Sequence, residues 1–249
     1  MSNSLATTLQ FSIGTQARTV TMPQGADIAA IRAALDLPPA RGVLAFNGGT
    51  ARLSDDLSAR LGQVVQDGVA RVAAEEQLTL VTGATDAGVF TLLGQGLARW
   101  GRTAPCIGVT VASLVTLPGA PTEQDRATLE PHHSHFVLVE GRDWGDETAT
   151  MYALVASLGE RVPSVLVFAS GGKILRNEVV ANVRQHRPII AIAGSGRFAD
   201  ELAAVVRGER PPEADDVAEI VRDGQITLFD LYQPPEALAD LVRQKLKML

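Results

Sequence analysis

Five apolar runs in the chain stop at glycine: residues 43–46 before Asn47-Gly48-Gly49, 78–81 before Thr82-Gly83, Ile107 at Gly108, 165–170 before Gly171-Gly172, and 189–193 before Gly194-Ser195-Gly196-Arg197. Helical spacing follows most of them. Repetition of strand, glycine turn and helix lines up several backbone-lined mouths along one edge of a parallel sheet, where α/β proteins hold ligands. Strands that are apolar almost throughout, separated by helices, require a sheet covered on both faces. The fold class is therefore α/β, a doubly wound and mostly parallel sheet with helices on both faces.

The intervening segments support this. Residues 57–76 read as a long amphipathic helix with Leu57, Leu61, Val64, Val65 and Val72 on its buried stripe. Helices are predicted over 87–100, 148–158, 174–184 and 198–206, alternating with strands over 136–139, 165–168 and 189–192. Residues 225–229 add a last strand, and Pro235 is placed to start a closing helix. The beginning differs. Residues 9–13 alternate apolar and polar, Gly14-Thr15-Gln16 turns, and 17–22 return, which is a small N-terminal β-hairpin. A short helix with Ile28, Ile31 and Leu35 on one face follows and stops at Pro38-Pro39. A hairpin and one helix bury little, so residues 1–39 are expected to form an appendage on a main domain spanning 40–249.

Charge and cysteine usage narrow the function classes. Formal net charge is −6 with Lys and Arg scattered, so the footprint of a phosphate-backbone binder is missing and nucleic acid is disfavoured as a partner. The single cysteine, Cys106, permits no internal disulfide, suits a reducing compartment, and reads as a small buried apolar residue rather than a reactive thiol. The amino terminus lacks a basic region followed by an apolar one, and no apolar run approaches membrane-spanning length, so a cytoplasmic protein without a membrane partner is expected.

Chemistry falls to the loops. Thr82-Gly83-Ala84-Thr85-Asp86-Ala87-Gly88 lies between a strand and a helix; its glycines admit a ligand, its threonines can bond phosphate, and the helix start favours anions. An ordinary tight connection with Asp86 as helix cap fits equally. Gly194-Ser195-Gly196-Arg197 has the glycine spacing of a dinucleotide fingerprint, but Pro211-Pro212 and an acidic helical stretch follow where the fingerprint's acidic strand end belongs, which disfavours a nicotinamide dehydrogenase. Arg197 can grip a phosphate through two parallel hydrogen bonds, or pair with Asp200 or Glu201. Gly145 and Glu147 open the helix at 148; there Glu147 would stay ionised and accept ribose hydroxyls or assist glycosidic cleavage, unless it merely suits the helix dipole. On a strand, His133 and His135 share a face and His132 points away, with no acid or cysteine completing a ligand set. That argues against a metal and leaves His135 as a partly buried or ligand-facing imidazole.

In order along the chain, Leu129-Glu130-Pro131-His132-His133-Ser134-His135 with its following strand, Gly145 and Glu147, Gly171-Gly172, and Gly194-Ser195-Gly196-Arg197-Phe198-Ala199-Asp200 resemble the amino-terminal cytosolic homology region of melastatin-type TRP channels. The resemblance runs from about residue 42 to 204 and identifies the chain with the prokaryotic-type, channel-free (LSDAT) branch of the SLOG superfamily, which also groups the LOG phosphoribohydrolases and the DNA-processing protein DprA. It implies a Rossmann-like fold and a sensor of NAD-derived nucleotides such as ADP-ribose or cyclic ADP-ribose. The ligand positions it implies are Gly48, Gly49, Thr82, Gly83, Gly88, Glu147, Gly171, Gly172, Gly194, Ser195, Gly196 and Arg197. Asp86, His135 and Gly145 join them from the loop reading.

The expected ligand is a small-molecule nucleotide, with no required cofactor. Its phosphates would lie at Thr82-Gly83 and at Gly194 to Arg197. A sensor would act through a separate effector protein, and a homo-oligomer is compatible with this reading. Two alternatives stand beside it. LOG enzymes carry Pro-Gly-Gly-x-Gly-Thr-x-x-Glu where this chain has Glu140-Gly141-Arg142-Asp143-Trp144-Gly145-Asp146-Glu147, so a nucleotide N-glycosidase using Glu147 would lack the Gly-Gly amides that hold the nucleotide phosphate beside that acid. Binding of single-stranded DNA, as in DprA, is poorly served by the acidic balance and by aromatics at 4% of residues.

Overall fold

The computed structural model describes residues 6–50, 54–121 and 123–247. In chain order the elements are β1 (Thr7–Gln10), β2 (Gln16–Met22), α1 (Ile28–Leu35), β3 (Val43–Gly48), α2 (Asp55–Val64), a π-helical segment (Val65–Ala70), α3 (Arg71–Glu75), β4 (Thr79–Thr82), α4 (Val89–Trp100), β5 (Cys106–Val111), β6 (Val115–Thr116), β7 (Ala127–Thr128), β8 (His135–Val139), α5 (Thr148–Leu158), β9 (Ser164–Ala169), α6 (Lys173–Arg184), β10 (Ile189–Ala193), α7 (Arg197–Val206), α8 (Asp215–Asp223), β11 (Ile226–Asp230) and α9 (Pro235–Lys247). Nine strands form one sheet in the order β1-β2-β8-β5-β4-β3-β9-β10-β11, parallel except for the β1–β2 hairpin. The expected α/β sheet, doubly wound and mostly parallel, is what forms.

Alternation along the central strands feeds two large apolar cores, and a third, smaller one gathers Ala17, Ala84, Val115, Phe136 and Leu138. In β3, Val43 and Ala45 face the side covered by α1, α5, α6, α7 and α8, while Leu44 and Phe46 face α2, α3, α4 and α9. Both sets are fully buried, which is why the strand reads as a continuous apolar run. The chain moves outward from β3 through β4, β5 and β8, then crosses back to β9 on the other flank of β3 and continues to β10 and β11. The direction of winding reverses between β3 and β9. Helices leaving these two strands go to opposite faces, so a crevice opens at their carboxyl ends.

The hairpin takes its place in the sheet, because β2 pairs in parallel with β8 from Arg18–His135 to Met22–Val139, and Val20 and Met22 enter the main core. Two expectations change. Gly108 does not end its strand; β5 continues to Val111, and a side chain at 108 would collide with Ala84 and Phe136, so this glycine serves close packing. Residues 57–76 are one helical stretch interrupted by the π segment, which their periodicity does not reveal. The polar residues 2–4 lie outside the described residues.

Candidate functional site

At the β3/β9 crevice lies a cavity of about 470 Å³. Asn47, Gly48, Gly49 and Thr50 line it from β3, Gly83, Thr85, Ala87 and Phe90 from the β4–α4 connection, Trp144 and Glu147 from the start of α5, Gly172 to Leu175 and Glu178 from α6, and Arg197 from α7. Gly88, at φ +53, lets this wall close: Val89 N–H donates to the Gly49 carbonyl at 3.2 Å, and a side chain at 88 would strike that carbonyl.

The floor is acidic and buried. Glu147 and Glu178 are each only 6% exposed. Glu147 Oε2 accepts the Gly145 N–H at 2.8 Å, where Gly145 turns at φ +106. Burial nevertheless holds the Glu147 carboxyl above its usual range. The helix start does not keep it as readily ionised as expected, because desolvation outweighs the bond and dipole. Glu178 is pushed up to about 8, first by burial and then by the charge of Glu147. Beneath them, Asn47 Nδ2 donates to the Tyr152 hydroxyl at 2.7 Å, Asn182 Nδ2 donates to the Glu178 carbonyl at 2.7 Å, and Arg187 donates to Asn182 Oδ1 and, at 3.0 Å, to Ser164 Oγ.

A cationic rim faces that floor. Lys173 and Arg197 are exposed and make no ion pair among the described residues. Asp200 and Glu201, the acids that could neutralise Arg197, are engaged elsewhere: Asp200 accepts the Gly194 and Gly196 N–H groups at 2.6 and 3.1 Å, and Glu201 pairs with Arg176 at 2.9 Å. The Arg197 guanidinium instead comes within 3.2 Å of where a Cβ on Gly172 would stand. No side chain caps the amino end of α6, whose first-turn amides join Lys173 and Arg197 in an anion-compatible corner.

This geometry redistributes the sequence-derived candidates. Gly48, Gly49, Gly83, Glu147, Gly172 and Arg197 converge on the cavity, and Gly171 with Gly172 and Arg197 lines a neighbouring open groove of about 920 Å³. The Gly194-Ser195-Gly196 turn is not a free phosphate loop, since Asp200 already takes two of its amides and the buried Ser195 hydroxyl accepts the Ser170 N–H at 2.7 Å. Thr82 also points away: its buried Oγ1 lies 2.7 Å from His133 Nε2. Asp86 is exposed, bonds Thr91 Oγ1 at 2.8 Å and does not line the cavity.

His135 begins β8, so it lies at the amino edge of the sheet, away from the carboxyl-edge mouths, in a separate groove with Arg102 and Ser134. Burial, then Arg102 and Arg18, lower its pKa to about 4. The other two histidines do meet an acid, contrary to the strand-based reading, because they lie in a turn: His132 Nδ1 and His133 Nδ1 are each 2.7 Å from Glu130, which is 2% exposed. Among the described residues no His, Cys, Asp and Glu cluster of metal-binding size occurs.

Sequence reasoning missed Glu178, Lys173, Asn47 and Trp144. Glu178 had a signal. With Leu175, Val179, Asn182 and Val183 it occupies the buried stripe of α6, where a carboxylate and an amide are out of place on packing grounds alone.

The fold and crevice define a doubly wound α/β domain with a polar cleft at its topological switch point. A family profile described as "SLOG in TRPM, prokaryote" matches residues 41–239, and the chain belongs to this family. It is also similar to transient receptor potential cation channel subfamily M member 2 of Rattus norvegicus, at 24% identity over 207 residues, and of Mus musculus, at 25% over 207 residues. Each match covers 69% of this chain but only 14% of the channel. Among the described residues no helix is long and apolar enough to cross a membrane.

Proposed function

We propose that this domain is a ligand-binding sensor for an NAD-derived or related nucleotide of the ADP-ribose or cyclic ADP-ribose type. The observation that carries the reading is the polarity of the cleft: the uncapped start of α6 with Lys173 and Arg197 at one place, and the buried acids Glu147 and Glu178 at another. Phosphates suit the first and hydroxyl donors the second. Trp144, 42% exposed beside the cavity, and Phe90 offer apolar faces for a base. The test is a thermal shift with ADP-ribose, cyclic ADP-ribose, NAD and AMP. A ligand at 100 times its dissociation constant adds about 2.7 kcal/mol of stability, whereas no shift with any of the four overturns the reading.

The Glu147 carboxyl, raised by burial, favours a second reading, hydrolysis of the nucleotide's N-glycosidic bond, since a carboxyl that keeps its proton more readily can pass it to a departing base. Free base released from AMP or NAD, and lost in Glu147→Gln, supports it. Intact nucleotide after prolonged incubation leaves the sensor.

A further inference from the structure

Glu178 is anomalous in its own helix. It sits on the buried stripe of α6 between Leu175 and Val179 and lines the cavity, and its carboxyl has no hydrogen-bond or ion-pair partner among the described residues. Its polar neighbours are better served: Asn182 is bonded through both side-chain atoms, the Tyr152 hydroxyl accepts from Asn47, and Arg187 holds Ser164 and Asn182. An unpartnered buried carboxyl costs stability that a leucine at this position would not. The groups facing it are Lys173 and Asn182 on its own helix, Glu147 and Tyr152 on α5, Asn47 on β3, Arg187 beyond α6, and Arg197 on α7. Two carboxyls on one floor demand hydrogen-bond donors, which phosphates lack and sugar hydroxyls supply. Glu178 lies five residues below Lys173, about 7.5 Å along the helix, a spacing that suits a phosphate and the ribose diol of the same nucleotide.

We propose that Glu178 is the specificity-determining residue of the cleft, receiving ribose hydroxyls of the nucleotide whose phosphate lies at Lys173 and Arg197. The inference rests on the nucleotide reading above and assigns the sugar end to a residue on α6. Because that carboxyl reaches about 8 in the empty cleft, occupation by a hydroxyl pair releases its proton near that pH.

The experiment is calorimetric titration of the full chain and of Glu178→Gln and Glu178→Leu with ADP-ribose and with inorganic pyrophosphate, which fills only the phosphate corner. Loss of the sugar contact weakens ADP-ribose about tenfold or more and leaves pyrophosphate within about twofold. Ligand-free Glu178→Leu melts at or above the wild-type temperature, since the carboxyl is there for the ligand and not for the fold. Should neither variant fold, wild-type titration with ADP-ribose at pH 8 in buffers of different ionisation enthalpy decides, and it reports proton release. Equal ADP-ribose affinity in wild type and variants overturns the role of Glu178 alone, as does equal loss of both ligands or absence of proton release where that titration decides. Failure of the wild type to bind any nucleotide overturns the nucleotide reading and this inference with it.

Discussion

Arg197 enters α7 at φ +54, a left-handed conformation that costs a residue with a side chain about 1–3 kcal/mol. Its guanidinium lies beside Gly172 without a carboxylate partner among the described residues, so the strain goes with the placement of an unpaired charge. Arg197→Gly is expected to keep or raise the melting temperature while weakening nucleotide binding by about 1.5–3 kcal/mol. Unchanged affinity by titration would remove Arg197 from the site. A second prediction concerns pH. Burial opposes charge on His133, but Cys106 and Glu130 raise its pKa from 6.5 to about 10, so its contribution is complete below 6.5 and is lost as pH rises towards 10. Glu178 acts in the same direction between 4.5 and about 8, because its folded form keeps the proton longer. Unfolding midpoints in urea should therefore fall from pH 6.5 to 10, and less steeply in His133→Gln; a midpoint that rises over this range contradicts the assignment. At this scale the sequence was only partly legible. Asp200 in the first turn of α7 and Glu178 on an apolar stripe were visible signals, whereas Thr82 turning inward to His133 depends on a contact 51 residues away.

Among the elements, the helical stretch over α2, the π segment and α3 packs closely against α4. A Cβ on Gly96 of α4 would stand 2.6 Å from Ala70 Cβ and 2.9 Å from Gln66 Cα, so α4 meets the π segment at backbone distance. Gly96→Ala should destabilise by about 1–3 kcal/mol through overpacking, despite alanine's better helix propensity. Chemical denaturation checks it, and a stabilised variant would mean that the helices separate freely. Apolar periodicity and glycine punctuation marked most strands and helices to within a residue or two, but not β5, which runs three residues past Gly108, nor β1, which ends at Gln10 rather than 13. They could not mark the π segment, since the buried Leu61, Val65, Val69 and Ala73 keep a spacing of four that reads as ordinary helix. Nor do they reveal β6 and β7, whose two residues each are too short to carry a period.

For the whole molecule, sheet order was the hidden quantity. Parallel pairing of β2 with β8 joins residues more than a hundred positions apart, and no local pattern specifies it. Removing residues 1–22 would uncover β8, whose Phe136, Val137 and Leu138 are buried, and expose an unpaired apolar edge. The shortened chain is expected to aggregate and to melt below the full chain in size-exclusion and thermal measurements; unchanged behaviour in both would make the hairpin dispensable to the sheet.

The crossover from β8 to β9 has a temporal consequence. α5 carries Glu147 at its start and runs over β4 and β3, so the acid floor hangs on the connection that joins the two flanks of the sheet. Walls of the cleft come from positions as early as Asn47 and as late as Arg197. A chain emerging from the ribosome has no complete cleft until Arg197 is available, about 150 residues after Asn47, and long-range pairings of this kind are slow to close. A ligand of the cleft could hold the finished domain together, but neither half alone offers it a site.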